Sequence, residues 1–123
     1  MVLLIGINDI GRGYPIRDIV NRISALIMTV RQESLFTEVY LLSVFPVSEK
    51  SQYASKVKIR NNATVRELNQ QLAVLPGVTY VGLYDYLTDA QGQLNDTYTT
   101  DGLHLSPQGY QVLAEPIKKE ILE

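Results

Sequence analysis

Apolar positions along this chain alternate between unbroken runs and a helical period, and the alternation predicts its elements. Val2-Leu3-Leu4-Ile5-Gly6 is a continuous apolar run at the very start, and its branched side chains suit a strand buried on both faces of a parallel sheet. Ile7 to Pro15 is polar and punctuated by Gly11 and Gly13, which predicts a loop leaving the carboxyl end of that strand. From Ile16 the spacing becomes helical. Ile16, Ile19, Val20, Ile23, Leu26, Ile27 and Val30 fall on one face, with Arg17, Asp18, Asn21, Arg22 and Arg31 largely on the other. Val39 to Val44 reads as a second buried strand, ended by Phe45-Pro46. A polar loop from Val47 to about Lys58 leads to a helix with Val65, Leu68, Leu72 and Leu75 inward, and Pro76-Gly77 stops it. Val78 to Leu83 is the third strand, and Asp89 to Gln93 has turn chemistry. The last helix is predicted to start at Pro107 with Ser106 as its N-cap. Tyr110, Leu113, Ala114, Ile117 and Ile121 share one face of it, and Pro116 predicts a kink or break.

The order strand, helix, strand, helix, strand, loop, helix predicts an α/β layered fold with a parallel sheet. Ligands in such folds bind outside the carboxyl ends of the strands. Asn8-Asp9 follows the first strand there, Phe45-Pro46 follows the second, and Asp101 and His104 lie between the third strand and the last helix. At 123 residues the chain is expected to be a single domain, 1–123. Its net charge of -2, with no basic run, argues against a nucleic-acid surface. It has no cysteine, so disulfides and thiolate metal sites are excluded. No apolar run approaches a membrane span, and Met1–Ile5 does not resemble a signal peptide, so a cytoplasmic location is the expectation.

The chemistry concentrates in Asp101-Gly102-Leu103-His104-Leu105-Ser106-Pro107, which holds the sole histidine. An aspartate three residues before the histidine can accept a hydrogen bond from one imidazole nitrogen and leave the other as a base. A structural turn with a surface histidine fits the same residues. Asp85, Asp89, Asp96, Asp101 and His104 lack metal-ligand spacing, so no metal is expected. Gly11-x-Gly13 lacks the third glycine of a phosphate loop, and no cofactor is expected. Tyr80, Tyr84, Tyr86 and Tyr98 could line a pocket or pack at its rim.

Two of these segments, Gly6-Ile7-Asn8-Asp9 and Asp101-Gly102-Leu103-His104-Leu105-Ser106, resemble sequence blocks of the SGNH (GDSL-type) hydrolases. The similarity runs over essentially the whole chain. It is nearest to small bacterial acylhydrolases related to platelet-activating-factor acetylhydrolase and to lysophospholipase or carbohydrate esterases. The resemblance implies a flavodoxin-like parallel sheet flanked by helices and a serine-type ester hydrolase (esterase, lipase or acylhydrolase) acting on a small ester. Within it, His104 matches the general base and Asp101 the residue that orients it. Asn8 matches an oxyanion-hole donor. Gly6 would permit close backbone approach, and Asp9 would brace the loop by capping backbone donors.

The chain departs from the family pattern at the nucleophile. No Gly-Asp-Ser segment is present, and Ser24, Ser34, Ser43, Ser48, Ser51, Ser55 and Ser106 stand in other contexts, so the nucleophile is unassigned. The resemblance therefore implies an N-terminally truncated domain lacking the first strands, about 60 residues or more. The Val2–Gly6 strand would then be an edge, open to homo-oligomer formation or to association with an N-terminal segment. A catalytically inactive fragment, or a non-enzymatic binding module that keeps Asn8, Asp101 and His104, is the alternative.

Overall fold

The computed structural model describes residues 1–122. Three short parallel strands, β1 (Val2–Leu3), β2 (Tyr40–Leu42) and β3 (Thr79–Val81), lie side by side in that order. Val2 pairs with Tyr40, and Tyr40 in turn with Thr79. The helices are α1 (Ile7–Gly11), α2 (Ile16–Glu33), α3 (Ala54–Val57), α4 (Asn62–Leu72) and α5 (Pro107–Ile117). This is the α/β layered fold that the spacing predicts.

Strand alternation divides the core between the two faces of the sheet. Leu41 and Val44 join Ile19, Ile23 and Ile27 of α2 and Val65, Leu68 and Leu72 of α4 on one face. Leu42 and Val81 join Leu83, Leu87, Leu94 and Leu113 of α5 on the other. The first face is closed over all three strands, because Leu3 and Ile5 of the first segment and Tyr80 of β3 pack into it. The second face is covered only toward β2 and β3.

That asymmetry corrects the expectation that the first strand is buried on both sides. Leu3 and Ile5 are half-buried, but Val2 and Leu4, which point to the other face, are 52% and 48% exposed. β1 is an edge, and part of one face beside it is bare.

Other local departures have equally local causes. Ile7 to Gly11 is a helix rather than a loop: Ile10 donates to Gly6 O at 3.1 Å, and the Ile10 side chain is buried in the core. The expected polar loop after Val47 contains the 3₁₀ turn Ser51–Tyr53 and α3. Leu26 is 41% exposed and Tyr110 62% exposed, since neither α2 nor α5 meets a partner on that flank. α5 does not stop at Pro116 but passes into a π-helical turn, Lys118–Leu122. Proline has no N–H to give to the carbonyl four residues back, and wider hydrogen-bond rings follow it.

Candidate active site

Two glycines and a set of buried amides hold the rim where the strands end. Gly6 carries φ +125°, a conformation that side chains rarely adopt. A Cβ there would stand 3.1 Å from both Leu68 Cδ2 and Val44 Cγ2. Gly6 therefore lets the chain turn sharply from β1 into α1 against the core, and this turn sets Asn8 on the first exposed position of α1. Arg60 braces α1 from the side, donating from Nε to Ile7 O at 3.0 Å.

Asp9 braces its loop, but not as expected. Among the described residues it caps no backbone donor. Its carboxylate lies 3.7 Å from Arg22 and 3.9 Å from Arg12, and the Arg22 guanidinium sits 4.2 Å above the Tyr14 ring. Short polar side chains near a helix start often cap it, but here two cations compete for the carboxylate.

The loop after β2 is clamped by two buried asparagines that sequence reasoning did not single out. The Asn69 side chain accepts from Val44 N at 2.7 Å and donates to Val44 O at 2.9 Å. Asn62 does the same for Val47, at 2.8 and 2.7 Å. Each pair satisfies the backbone groups of a segment that has left the sheet, as buried polar groups require. The available signal was the two asparagines, Asn62 and Asn69, on an otherwise apolar helix face.

The histidine loop is built around one carboxylate. Asp101 Oδ1 accepts from the backbone N–H of Leu103 at 2.9 Å and of His104 at 2.7 Å. Its Oδ2 lies 2.6 Å from His104 Nδ1. Thr99 locks the same loop, accepting from Gly102 N at 2.9 Å and donating to His104 O at 2.7 Å. Gly102, at φ +82°, makes the turn between them. Ser106 caps α5 as the spacing predicts, accepting from Gly109 N at 3.3 Å while donating to Thr97 O at 2.9 Å.

Burial alone would raise the Asp101 pKa. The hydrogen bonds from the His104 ring and from the His104 and Leu103 N–H groups outweigh it and hold the carboxyl down at about 2. The ionised carboxylate can only accept, so in the neutral form of the imidazole Nδ1 carries the proton and Nε2 presents a lone pair. The His104 side chain is 73% exposed, and Nε2 has no hydrogen-bond partner among the described residues.

An apolar hollow of about 60 Å³ joins the two predicted segments. It is lined by Leu4, Ile5, Ile7, Val44, Phe45 and Leu103. Ile7 precedes Asn8 and Leu103 precedes His104, so both segments border one hollow at the β1 side of the rim.

Several serines are committed to other partners or buried. Ser43 and Ser48 are fully buried, and Ser43 Oγ accepts from Leu83 N at 2.8 Å. Ser34 is bonded to Thr37, and Ser106 is committed to the α5 cap. Among the described residues none is hydrogen-bonded to His104.

A sequence model of the GDSL-like lipase/acylhydrolase family matches residues 1–112. The chain belongs to that family. It is 42% identical to a solved Streptococcus pneumoniae protein provisionally named a platelet activating factor, with a TM-score of 0.93 over 97% of this chain and 57% of the other. A GDSL-like lipase from Bacteroides thetaiotaomicron superposes with a TM-score of 0.80 at 23% identity, covering 98% of this chain and 60% of that one. An Escherichia coli N-acylneuraminate cytidylyltransferase is 33% identical over 89 residues, 72% of this chain but 20% of that enzyme. The chain thus spans well under two thirds of the length of each of these relatives. Among the described residues no helix is long and apolar enough to cross a membrane.

Proposed function

We propose that this chain supplies the base and anion-stabilising half of a serine ester hydrolase site, and that the serine belongs to a segment added at the β1 edge. The observation that carries the reading is the 2.6 Å contact between Asp101 Oδ2 and His104 Nδ1, with Nε2 left open. In the completed site Nε2 removes the proton from the serine hydroxyl as its oxygen attacks the ester carbonyl. The carbonyl oxygen becomes an oxyanion, and the Asn8 amide donates to it. The imidazolium then gives its proton to the departing alcohol, and water repeats the sequence on the acyl-enzyme. Loss of a donor such as Asn8 typically weakens transition-state stabilisation by about 3–4 kcal/mol.

A fluorophosphonate probe and a short-chain p-nitrophenyl ester test this division of labour. The chain alone is expected to resist labelling and to hydrolyse the ester no faster than its His104→Ala variant. An added Gly-Asp-Ser-bearing segment, taken from the N-terminal part of a full-length family member, should restore both labelling and turnover. Labelling of a serine in this chain would refute the assignment. Absence of any rescue would favour a binding module.

The bare side of β1 leads to a second expectation. Val2 and Leu4 are half-exposed, the strand has an unpaired edge, and Met1 N, which donates to Glu38 O at 2.8 Å, ties its start in place. Such edges recruit other strands. Without an added segment, light scattering at micromolar concentration should find species heavier than one chain, and Leu4→Lys should shift the population to monomer. A stable unmodified monomer would argue against a role for this edge.

A further inference from the structure

A second cleft is lined by residues other than the histidine loop. It is an open cleft of about 590 Å³ between α4 and the segment that begins in β3, within the size range of small-molecule sites. Tyr80, Tyr84 and Tyr86 form one wall, so these tyrosines line a cleft rather than merely pack at a rim. Ala73 and Gly82 also line it and add little bulk. Asn69 contributes only bulk, because both ends of its amide are held by Val44.

The polar groups that remain available are Arg66, Gln70, Asp85 and the phenol hydroxyls. Arg66 is exposed and forms no ion pair among the described residues. Its one hydrogen bond is a long one, from Nη1 to the Tyr84 hydroxyl at 3.4 Å. A guanidinium without a counter-ion, beside a phenol and aromatic faces, is suited to a planar anion attached to a ring. Asp85, which also lines the cleft, would repel a ligand with several negative charges but can accept from hydroxyl donors. A single carboxylate on a polyhydroxylated ring meets both conditions.

The cleft is also separate from the hydrolytic rim. Tyr86 lines a second hollow with Glu115, Pro116 and Lys119. α5 starts just behind His104, and Pro116 lies nine residues further along it, about 14 Å at the helical rise.

We propose that this cleft binds a saccharide bearing one carboxylate, with Arg66 on the acid, the tyrosine rings on the sugar face, and Gln70 and Asp85 on its hydroxyls. The site is independent of the nucleophile question, so His104→Ala should bind equally well.

Titration of the ¹⁵N-labelled chain with D-galacturonate, D-galactose and acetate tests it. Galacturonate should give saturable amide shifts at Arg66, Gln70, Gly82 and Tyr84. Galactose and acetate should each bind at least tenfold more weakly. Arg66→Gln, at an exposed position, should keep its melting temperature and lose about tenfold in galacturonate affinity, the scale of one charge-assisted hydrogen bond. Absence of saturable shifts at these amides would overturn the proposal. So would equal affinity for acetate, equal affinity for galactose, or an Arg66→Gln variant that binds as the parent does.

Discussion

Asp101→Asn is expected to lower kcat about 10⁴-fold in the site once a serine-bearing segment completes it, the scale seen when such a carboxylate becomes an amide. The loop itself should survive. An asparagine Oδ1 can still accept from Leu103 N and His104 N, the two bonds that shape the turn. What changes is the group facing the ring. An amide NH₂ in place of Oδ2 can only donate, so Nδ1 must become the acceptor and the proton moves to Nε2. The nitrogen assigned as the base is then blocked. The imidazole ¹⁵N shifts report this tautomer switch directly in the chain alone, apart from any assay of turnover. An unchanged tautomer in the variant would remove the basis for the assignment.

The same carboxylate gives the protein a pH signature. Its pKa is about 2 in the folded chain, below its ordinary 3.8, so deprotonation favours the folded state. The contribution is complete above roughly pH 5 and disappears as the pH falls through about 2. With solvent screening at a quarter-exposed side chain it amounts to about 1–2 kcal/mol. Denaturant unfolding of the parent and of Asp101→Asn should therefore differ at neutral pH and converge near pH 2.

Gly102→Ala should be the most damaging single methyl group in the chain. The position holds φ +82°, and a Cβ would fall 2.5 Å from both Cβ and Cγ of Tyr53. Left-handed backbone costs an alanine about 1–2 kcal/mol, and overpacking of this kind adds about 1–3 kcal/mol. Since 1 kcal/mol shifts Tm by about 4–8 °C in a domain of 60–100 residues and by about 2–4 °C in one of 150–250, thermal unfolding of this chain should move down by about 10 °C. Gly102→Asn separates the two causes. Asparagine tolerates the left-handed region but carries the same Cβ, so it should not rescue. A melting temperature close to that of the parent would show that Tyr53 yields easily.

The histidine loop was legible because its information is local. Asp101, His104, Ser106 and Pro107 all act on backbone or side chains within a few residues, and spacing alone predicts an orienting carboxylate and a capped helix. The sheet was legible for a similar reason. Unbroken apolar runs and helical periods are properties of the segment, and the family resemblance of Gly6–Asp9 and Asp101–Ser106 agrees with the architecture they specify. Where the reading failed, the deciding partner came from far along the chain. Asp9 meets Arg22 instead of its own helix start, and Ile7–Gly11 becomes helical because Ile10 finds a place among α2 and α4.

The sequence by itself determined the order of the three strands with α2, α4 and α5, the pairing of Asp101 with His104, and the absence of a Gly-Asp-Ser segment among these 123 residues. Short-range spacing suffices for each. Only the tertiary structure decided that Val2 and Leu4 face outward, that Asn62 and Asn69 clamp the loop after β2, and that Arg66 and three tyrosines line a second cleft. Those facts depend on which element covers which face of the sheet, and coverage is settled by packing between segments tens of residues apart.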